Sequence, residues 1–516
     1  MAPNMFRSIK RLLCFASPQR SDETCPTASF THDAPSRTSI PDSTAWANRP
    51  QPRVRERITT RVIIPRFPST YSSTSTPTTC FISDTESPVT PITSATSQSL
   101  SWSSEVLLKV ATDPSWDYGT PYVPILQPDG TLRPPPISFS GYGPFGGQFV
   151  PESIMGFLHE LTSTFEAAVS DPAFWAEYAT LQRSQHTPLT RASKLSDPAT
   201  AATIWLKRED LNDYGSHKTR NIIGQLLLAR RMGRTEVVTD CAAAKHGTFT
   251  AAMCARLGLQ CVVVMGADDA CAQEEDVLDM KMLGAKIVTA RTPSGMGSLR
   301  AAITEALRYS VRNYETAYYL MGGPVGPSPL PTVTRTFQAL LGEEVAAQMH
   351  REVGCQPDAV VTAVGSGCGA VGLFRPFLHS PAVRLVGVEG VHAAALTEGS
   401  IGVLQGSRTL MLQNEDGQIL DSNSISPDMN ISTVGPEVAY WKSVGRVEIK
   451  TATDTDALDG FKSLFDHEGI VSGLDSSHAV SAALRLARDL GPGKNVVLMV
   501  TGGDSIGMHD GRRLGV

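Results

Sequence analysis

The sequence has no uninterrupted apolar run near the roughly 18 residues that a membrane-spanning helix needs; its longest, such as VVLMV before Thr501, are of buried-strand length. A helical membrane span is therefore excluded. Positive charge is neither in excess nor clustered: 45 Lys and Arg stand against 51 Asp and Glu, a net charge of −6. That removes the phosphate-neutralising face a nucleic-acid binder needs. The nine cysteines are odd in number, include no CxxC pair and form no short-spaced set with the 11 histidines. No metal site is expected, and the thiols read as reduced, in a reducing compartment. No period of about 20 to 50 residues repeats, which argues against solenoids and propellers.

What is present begins with MAPNMFRSIKRLLCFASPQR, four basic residues and no acid before Asp22, with Met5, Phe6, Ile9, Leu12 and Leu13 able to share one helical face. Two readings stand, a mitochondrial targeting segment or an unstructured basic tail on a cytoplasmic protein. From Ser17 to about Ser104 the chain is Ser, Thr and Pro, too poor in apolar residues to offset ordering entropy. Residues 1–140 are thus expected to be a disordered extension. Of the 516 residues, roughly 376 remain, suited to one two-domain α/β enzyme.

Strand-like runs (TIWLKRE, TEVVTD, QCVVVMG, AKIVTA, DAVVTAV, VRLVGVE, NVVLMVT) alternate after Gly141 with helical stretches such as NIIGQLLLARRMG, TFTAAMCARLG and HAVSAALRLARDLG. Continuous apolar runs between helices predict parallel strands buried on both faces. The expected fold is α/β, with two domains of mainly parallel sheet flanked by helices.

Two constellations carry chemistry. In LKREDLNDYGSHKTRN (206–221), Lys218 follows a Gly-Ser-His turn and opens a helix. The helix dipole disfavours a cation there, and burial and neighbours are expected to lower its pKa and prepare an amine nucleophile. Alone, the motif reads first as a solvated surface lysine after a turn. In DAVVTAVGSGCGAVGLF, a strand ends in Gly365-Ser366-Gly367-Cys368-Gly369 before a helix, so backbone N–H groups converge on an anion such as phosphate. Tight strand-to-helix packing is the other reading. Glu389 also lies near the acid spacing of a dinucleotide fold, and the distant lysine motif decides against that.

Together these residues resemble the tryptophan synthase beta-subunit family, pyridoxal-phosphate enzymes of the second fold type. The resemblance runs from about Gly141 to Asp504 and rests on ten segments in the family's order: GPFGGQFVPE (143–152), HTPLT (186–190), LKREDLN (206–212), GSHKTRN (215–221), MGGPVGPSPLPT (321–332), NEDGQIL (414–420), SIS (424–426), VGPE (434–437), HEGI (467–470) and LDSSHA (474–479). It implies an N-terminal domain at 141–335, with 184–216 packing on the other, and a C-terminal domain at 336–516. It implies pyridoxal 5'-phosphate as cofactor, Lys218 as its Schiff-base lysine, His217 beside the phosphate, Gly365 to Gly369 as the phosphate loop, Asp475 near the cofactor, and Thr501 where the family's serine meets the pyridine nitrogen. A hydroxyl there limits the electron sink and favours replacement at Cβ over transamination.

Asp240 stands where the family has its catalytic glutamate; a strand-end helix cap is the plainer reading of the same residue. Cys241, Ala242, Ala243, Ala244, Lys245 and His246 replace the loop that holds the substrate carboxylate, with two family glycines now Ala242 and Ala244 and a glutamine now Lys245. Ala272 and Asn430 stand where the family places an arginine and its aspartate partner, Asp475 shortens a glutamate, and a Gly-Arg-Gly-Asp run survives only as Gly502-Gly503-Asp504. Loss of both opposite charges together points to altered substrate recognition. The resemblance implies β-elimination and nucleophile addition on an amino acid such as L-serine, with indole as the default nucleophile. A lyase or dehydratase releasing pyruvate, or a synthase using another nucleophile, is the alternative; a noncatalytic scaffold is a third, disfavoured by the intact lysine motif. A homodimer is expected, and Arg300, taken as an exposed basic residue, stands at the family's alpha-subunit contact.

Overall fold

The computed structural model describes residues 142–182 and 186–502, together with one antiparallel pair, Ile125–Leu126 with Leu132–Arg133, inside the stretch expected to be disordered. The basic N-terminal segment, the rest of 1–140, and Gly503 and Asp504 lie outside the described residues.

Strands β1 (Leu189–Arg191) and β2 (Thr203–Arg208) come first. The next four, β3 (Glu236–Cys241), β4 (Gln260–Gly266), β5 (Lys286–Ala290) and β6 (Ala317–Leu320), pair in parallel in the order β5-β4-β3-β6. After them β7 (Ala359–Ala363), β8 (Arg384–Gly390), β9 (Glu448–Ala452) and β10 (Asn495–Val500) turn back to the first two, in the order β9-β8-β7-β10-β2-β1, parallel except for β1. Each strand-like run read from the sequence is a strand. The interior residues of β3, β4 and β10 are buried on both faces, which only helices on both sides of a parallel sheet allow.

Helices α1 (Glu152–Val169) and α2 (Pro172–Leu181) precede the sheets; α3 (Thr219–Arg231), α4 (Ala244–Leu257), α5 (Ala267–Ala272), α6 (Leu299–Arg312), α7 (Leu330–Val353), α8 (Cys368–Leu373) and α9 (Leu474–Leu490) connect or cover them. Among the described residues no helix is long and apolar enough to cross a membrane. Helix α3 is the joint of the assembly. Phe337 of α7 stacks on Tyr178 of α2 (5.9 Å, 12°) and lies 2.4 Å from where a Cβ on Gly224 would stand, so α3 accepts the helix-weakening glycine to let α7 approach.

Beneath the first turn of α3 four charges are buried together. Arg220 spans Glu209 (Nη1 to Oε2, 2.6 Å) and Glu344 of α7 (Nη2 to Oε2, 2.8 Å), while Lys207 of β2 donates to Glu344 Oε1 at 2.6 Å. Thr187 and Asn212 complete Glu209 at 2.5 and 2.8 Å. Burial would raise Glu209, yet Arg220 and Lys207 hold it down at about 2. Two cations balance two anions, so removing one strands a buried charge. Glu344→Gln is expected to cost on the order of 3–5 kcal/mol of stability; a loss below about 1 kcal/mol in urea unfolding would show that the network is dispensable.

Candidate active site

Lys218 stands at a helix start because the turn before it cannot be helical. Tyr214 and Gly215 have φ of 55° and 66°, Ser216 Oγ accepts the Lys218 amide at 3.2 Å, and helical dihedrals begin at Lys218 (φ −70°, ψ −13°). Its Nζ donates to Asp428 Oδ1 at 2.7 Å. This corrects the expected direction of its titration. Burial does lower the amine's proton affinity, but the Asp428 carboxylate overrides it and holds Lys218 above the ordinary lysine range. The same pair holds Asp428 below its ordinary value against burial.

Beside it, His217 is 6% exposed, and both ring nitrogens lack a hydrogen-bond partner. Burial first, then the Lys218 charge, lowers it to about 4, so the imidazole is neutral. It faces, with Lys218, a cavity of about 360 Å³ floored by the loop between β7 and α8. Gly367 has φ +97°; a Cβ on Gly365 would lie 2.4 Å from the Asp428 carbonyl, and one on Gly369 2.6 Å from Met499 Cε. Any larger residue would fill this cradle. A glycine floor, unpartnered buried imidazole nitrogens and an adjacent lysine fit a phosphate-bearing aldehyde. Cys368 adds a thiol that burial pushes up to about 12; its Sγ accepts from Gln338 at 3.1 Å. Ser366 lines the cradle with its carbonyl engaged by the Gly435 amide at 2.9 Å.

Asp240, at the end of β3, is 4% exposed. Its Oδ1 accepts from the Tyr319 hydroxyl (2.9 Å) and the Gly322 amide (3.2 Å), and the capping position of α4 is Ala243, with no side-chain cap, so the cap reading does not hold. Burial raises its pKa, and the Gly322 and Tyr319 bonds offset only part of that. Asp240, Lys218, Ala242 and His246 line a cavity of about 290 Å³ whose far wall is apolar: Leu299 and Ile303 of α6, with Val325. His246 is neutral, lowered to about 3 by burial, and its Nε2 meets Thr239 Oγ1 at 2.8 Å.

The rest of the 241–246 loop divides. Gln273 clamps it, accepting the Ala244 amide at 2.9 Å and donating to the Ala242 carbonyl at 2.7 Å, while Cys241 Sγ donates to the Ala243 carbonyl. Lys245 does not join Ala242 on the wall; it lines an adjoining cavity of about 270 Å³ with Asp475 and Thr501. There Thr501 donates to Asp475 Oδ1 at 2.7 Å, and its amide donates to Ser476 Oγ at 2.8 Å. Asp428 lines all three cavities.

Other sequence features resolve as structure. Glu389 accepts from the Leu396 and Thr397 amides at 2.7 and 3.1 Å, so its carboxylate, raised to about 7 by burial, holds a turn rather than a ribose. Ala272 is exposed at the end of α5, and Asn430 accepts the Ser424 amide at 3.2 Å. Arg300, taken as exposed, is largely covered and paired with Asp421. Sequence reading passes over Asp428, Tyr319 and Gln273. Asp428 had one signal, its place two residues after SIS (424–426), behind Pro427; the other two act across the fold.

The Tyr319 bond stabilises the ionised form of Asp240, so Tyr319→Phe raises the Asp240 pKa further. If ionised Asp240 carries the reaction, the acid limb of kcat/KM against pH moves up by about one unit or more, the worth of a hydrogen bond to a charged group. An unmoved limb would remove Asp240 from the rate-controlling ionisations.

Comparison with known proteins agrees with this chemistry. Residues 181–502 match the family model described as pyridoxal-phosphate dependent enzyme. The chain is 44% identical over 372 residues to tryptophan synthase of Saccharomyces cerevisiae, covering 70% of this chain and spanning about half (52%) of that protein. It is 43% identical over 375 residues to the tryptophan synthase beta chains of Mycobacterium bovis and Mycobacterium tuberculosis, covering 70% of this chain and 89% of each of theirs. With its lysine shared between the cavity of the glycine cradle and that of the buried carboxylate, the chain belongs to the pyridoxal-phosphate-dependent enzymes of the tryptophan synthase beta-chain family.

Proposed function

We propose that the chain joins L-serine and indole by β-replacement at the site around Lys218. The observation that carries this reading is one cavity with two unlike sides: Lys218 and the pinned carboxylate of Asp240 on one, and the apolar Leu299, Ile303 and Val325 on the other. An amino acid fits the first side and a flat apolar nucleophile the second.

Pyridoxal phosphate, when bound, supplies the electron sink for bond breaking at Cα and Cβ of the amino acid. The chain's own groups divide the remaining work. Gly365 to Gly369 and His217 would hold the phosphate, and Lys218 would anchor the aldehyde carbon and carry the proton at Cα. Asp240 would assist departure of the serine hydroxyl and take the proton released as the nucleophile's carbon bonds to Cβ. Its Oδ1 is fixed by Tyr319 and Gly322, which aims the carboxylate without its moving. The apolar wall keeps water from the acceptor carbon, and the clamp by Gln273 shapes the backbone of 242–244 around the substrate carboxylate. With Ala272 and Asn430 both uncharged, closure over the amino acid would depend on packing rather than on an ion pair.

A homodimer is proposed on family grounds. For an alpha-type partner, Arg300 is a poor recognition element because Asp421 already engages it. Loaded enzyme given L-serine and indole is expected to form tryptophan, with Lys218→Ala inactive and Asp240→Asn lowering kcat by about 10²–10⁴-fold. Pyruvate without tryptophan would replace the synthase reading with a lyase.

A further inference from the structure

The residue in closest touch with the reacting amine belongs to no motif. Asp428 reaches Lys218 from a loop that the phosphate cradle itself fixes: its backbone carbonyl lies 2.4 Å from where a Gly365 Cβ would stand. Among the described residues it is the only carboxylate within 4.0 Å of Lys218 Nζ, and it borders all three cavities. We propose that Asp428 is a catalytic residue: the counter-ion that receives Lys218 whenever its amine is not joined to the cofactor, making that amine a proton carrier held in place rather than a free base. This rests on the reading that Lys218 carries the cofactor.

The surroundings leave that role to Asp428. From α8 the Cys368 thiol, pushed up by burial, is neutral, and so is the Cys241 thiol of β3. His217 on the same turn and His246 of α4 are both neutral because burial lowers them. Asp240 also faces the amine from β3, but its Oδ1 is engaged by Tyr319 and Gly322, and the ion pair of Lys218 is with Asp428. In the reaction, as the substrate Cα–H bond breaks, the electron pair stays with the substrate carbon and the proton passes to Lys218 Nζ. The neutral amine becomes an ammonium, and Asp428, already ionised at 2.7 Å, balances it without taking the proton itself. Return of that proton then separates the same pair, so Asp428 sets how readily Lys218 gives it back.

The test needs no cofactor. In the full-length chain, Lys218 is labelled with a limiting acylating reagent across a pH series and quantified by peptide mass spectrometry, since only the neutral amine reacts. Asp428→Asn keeps the size and removes the charge. It is expected to move the Lys218 midpoint down by at least one pH unit, a tenfold or greater gain in labelling at a fixed pH below both midpoints. Asp428→Glu, which keeps the charge, is expected to leave the midpoint high, and Asp428→Ser repeats the test if the asparagine chain does not fold. Equal midpoints in wild type and the uncharged variants would overturn the proposal. Failure of the underlying reading shows differently, as turnover that survives Lys218→Ala.

Discussion

The bridge that Arg220 makes between Glu209 and Glu344 is the interaction on which the site depends. Burying four charges is costly, and pairs of this kind add little net stability over a well-packed apolar cluster. What they supply is position. Arg220 lies two residues beyond Lys218, its partners sit after β2 and on α7, and Lys207 completes the set from β2 itself, so the first turn of α3 has one place relative to the six-stranded sheet. Next to Arg220 and one turn beyond it, Asn221 and Gln225 donate to the Met321 carbonyl at 3.0 and 2.9 Å, which ties α3 to the end of β6 in the four-stranded sheet. A single helix is thereby fixed to both sheets, and Lys218 starts it.

Around that lysine, desolvation and neighbours compete, and distance decides which prevails. Lys218 and Asp428, 2.7 Å apart, each stay charged although burial disfavours both charges. Asp240 has only neutral donors, and burial wins, leaving a carboxylate of raised proton affinity. The two acids thus differ in kind: one is ionised beside its cation, the other holds a proton more readily than a free carboxylate. That division suits chemistry in which one proton travels on an amine and another is managed at the leaving group and nucleophile.

Much of the fold was legible because apolar runs such as DAVVTAV and NVVLMVT admit one environment, a parallel strand covered on both faces. The same holds for the glycine cradle and the lysine turn, whose residues are neighbours in sequence. What was not legible depends on contacts across the fold. Asp428 meets Lys218 from 210 residues away, Tyr319 meets Asp240 across adjacent strands, and Gln273 reaches the 242–244 backbone from beyond α5. Local sequence predicts a lowered Lys218 for that reason, since the neighbour that controls it lies far away along the chain. Lys245 belongs to the 241–246 loop in sequence, yet the start of α4 turns it away from the cavity that Ala242 lines and toward the one bordered by Asp475 and Thr501, while His246 borders both.

The most direct test of the account is to reduce the loaded protein with borohydride and locate the pyridoxyl group by peptide mass spectrometry. The account places it on Lys218 in the peptide containing GSHKTRN. Finding it on Lys245 or Lys207, or on no lysine, would contradict the claim that the buried bridge at Arg220 exists to hold the cofactor's lysine.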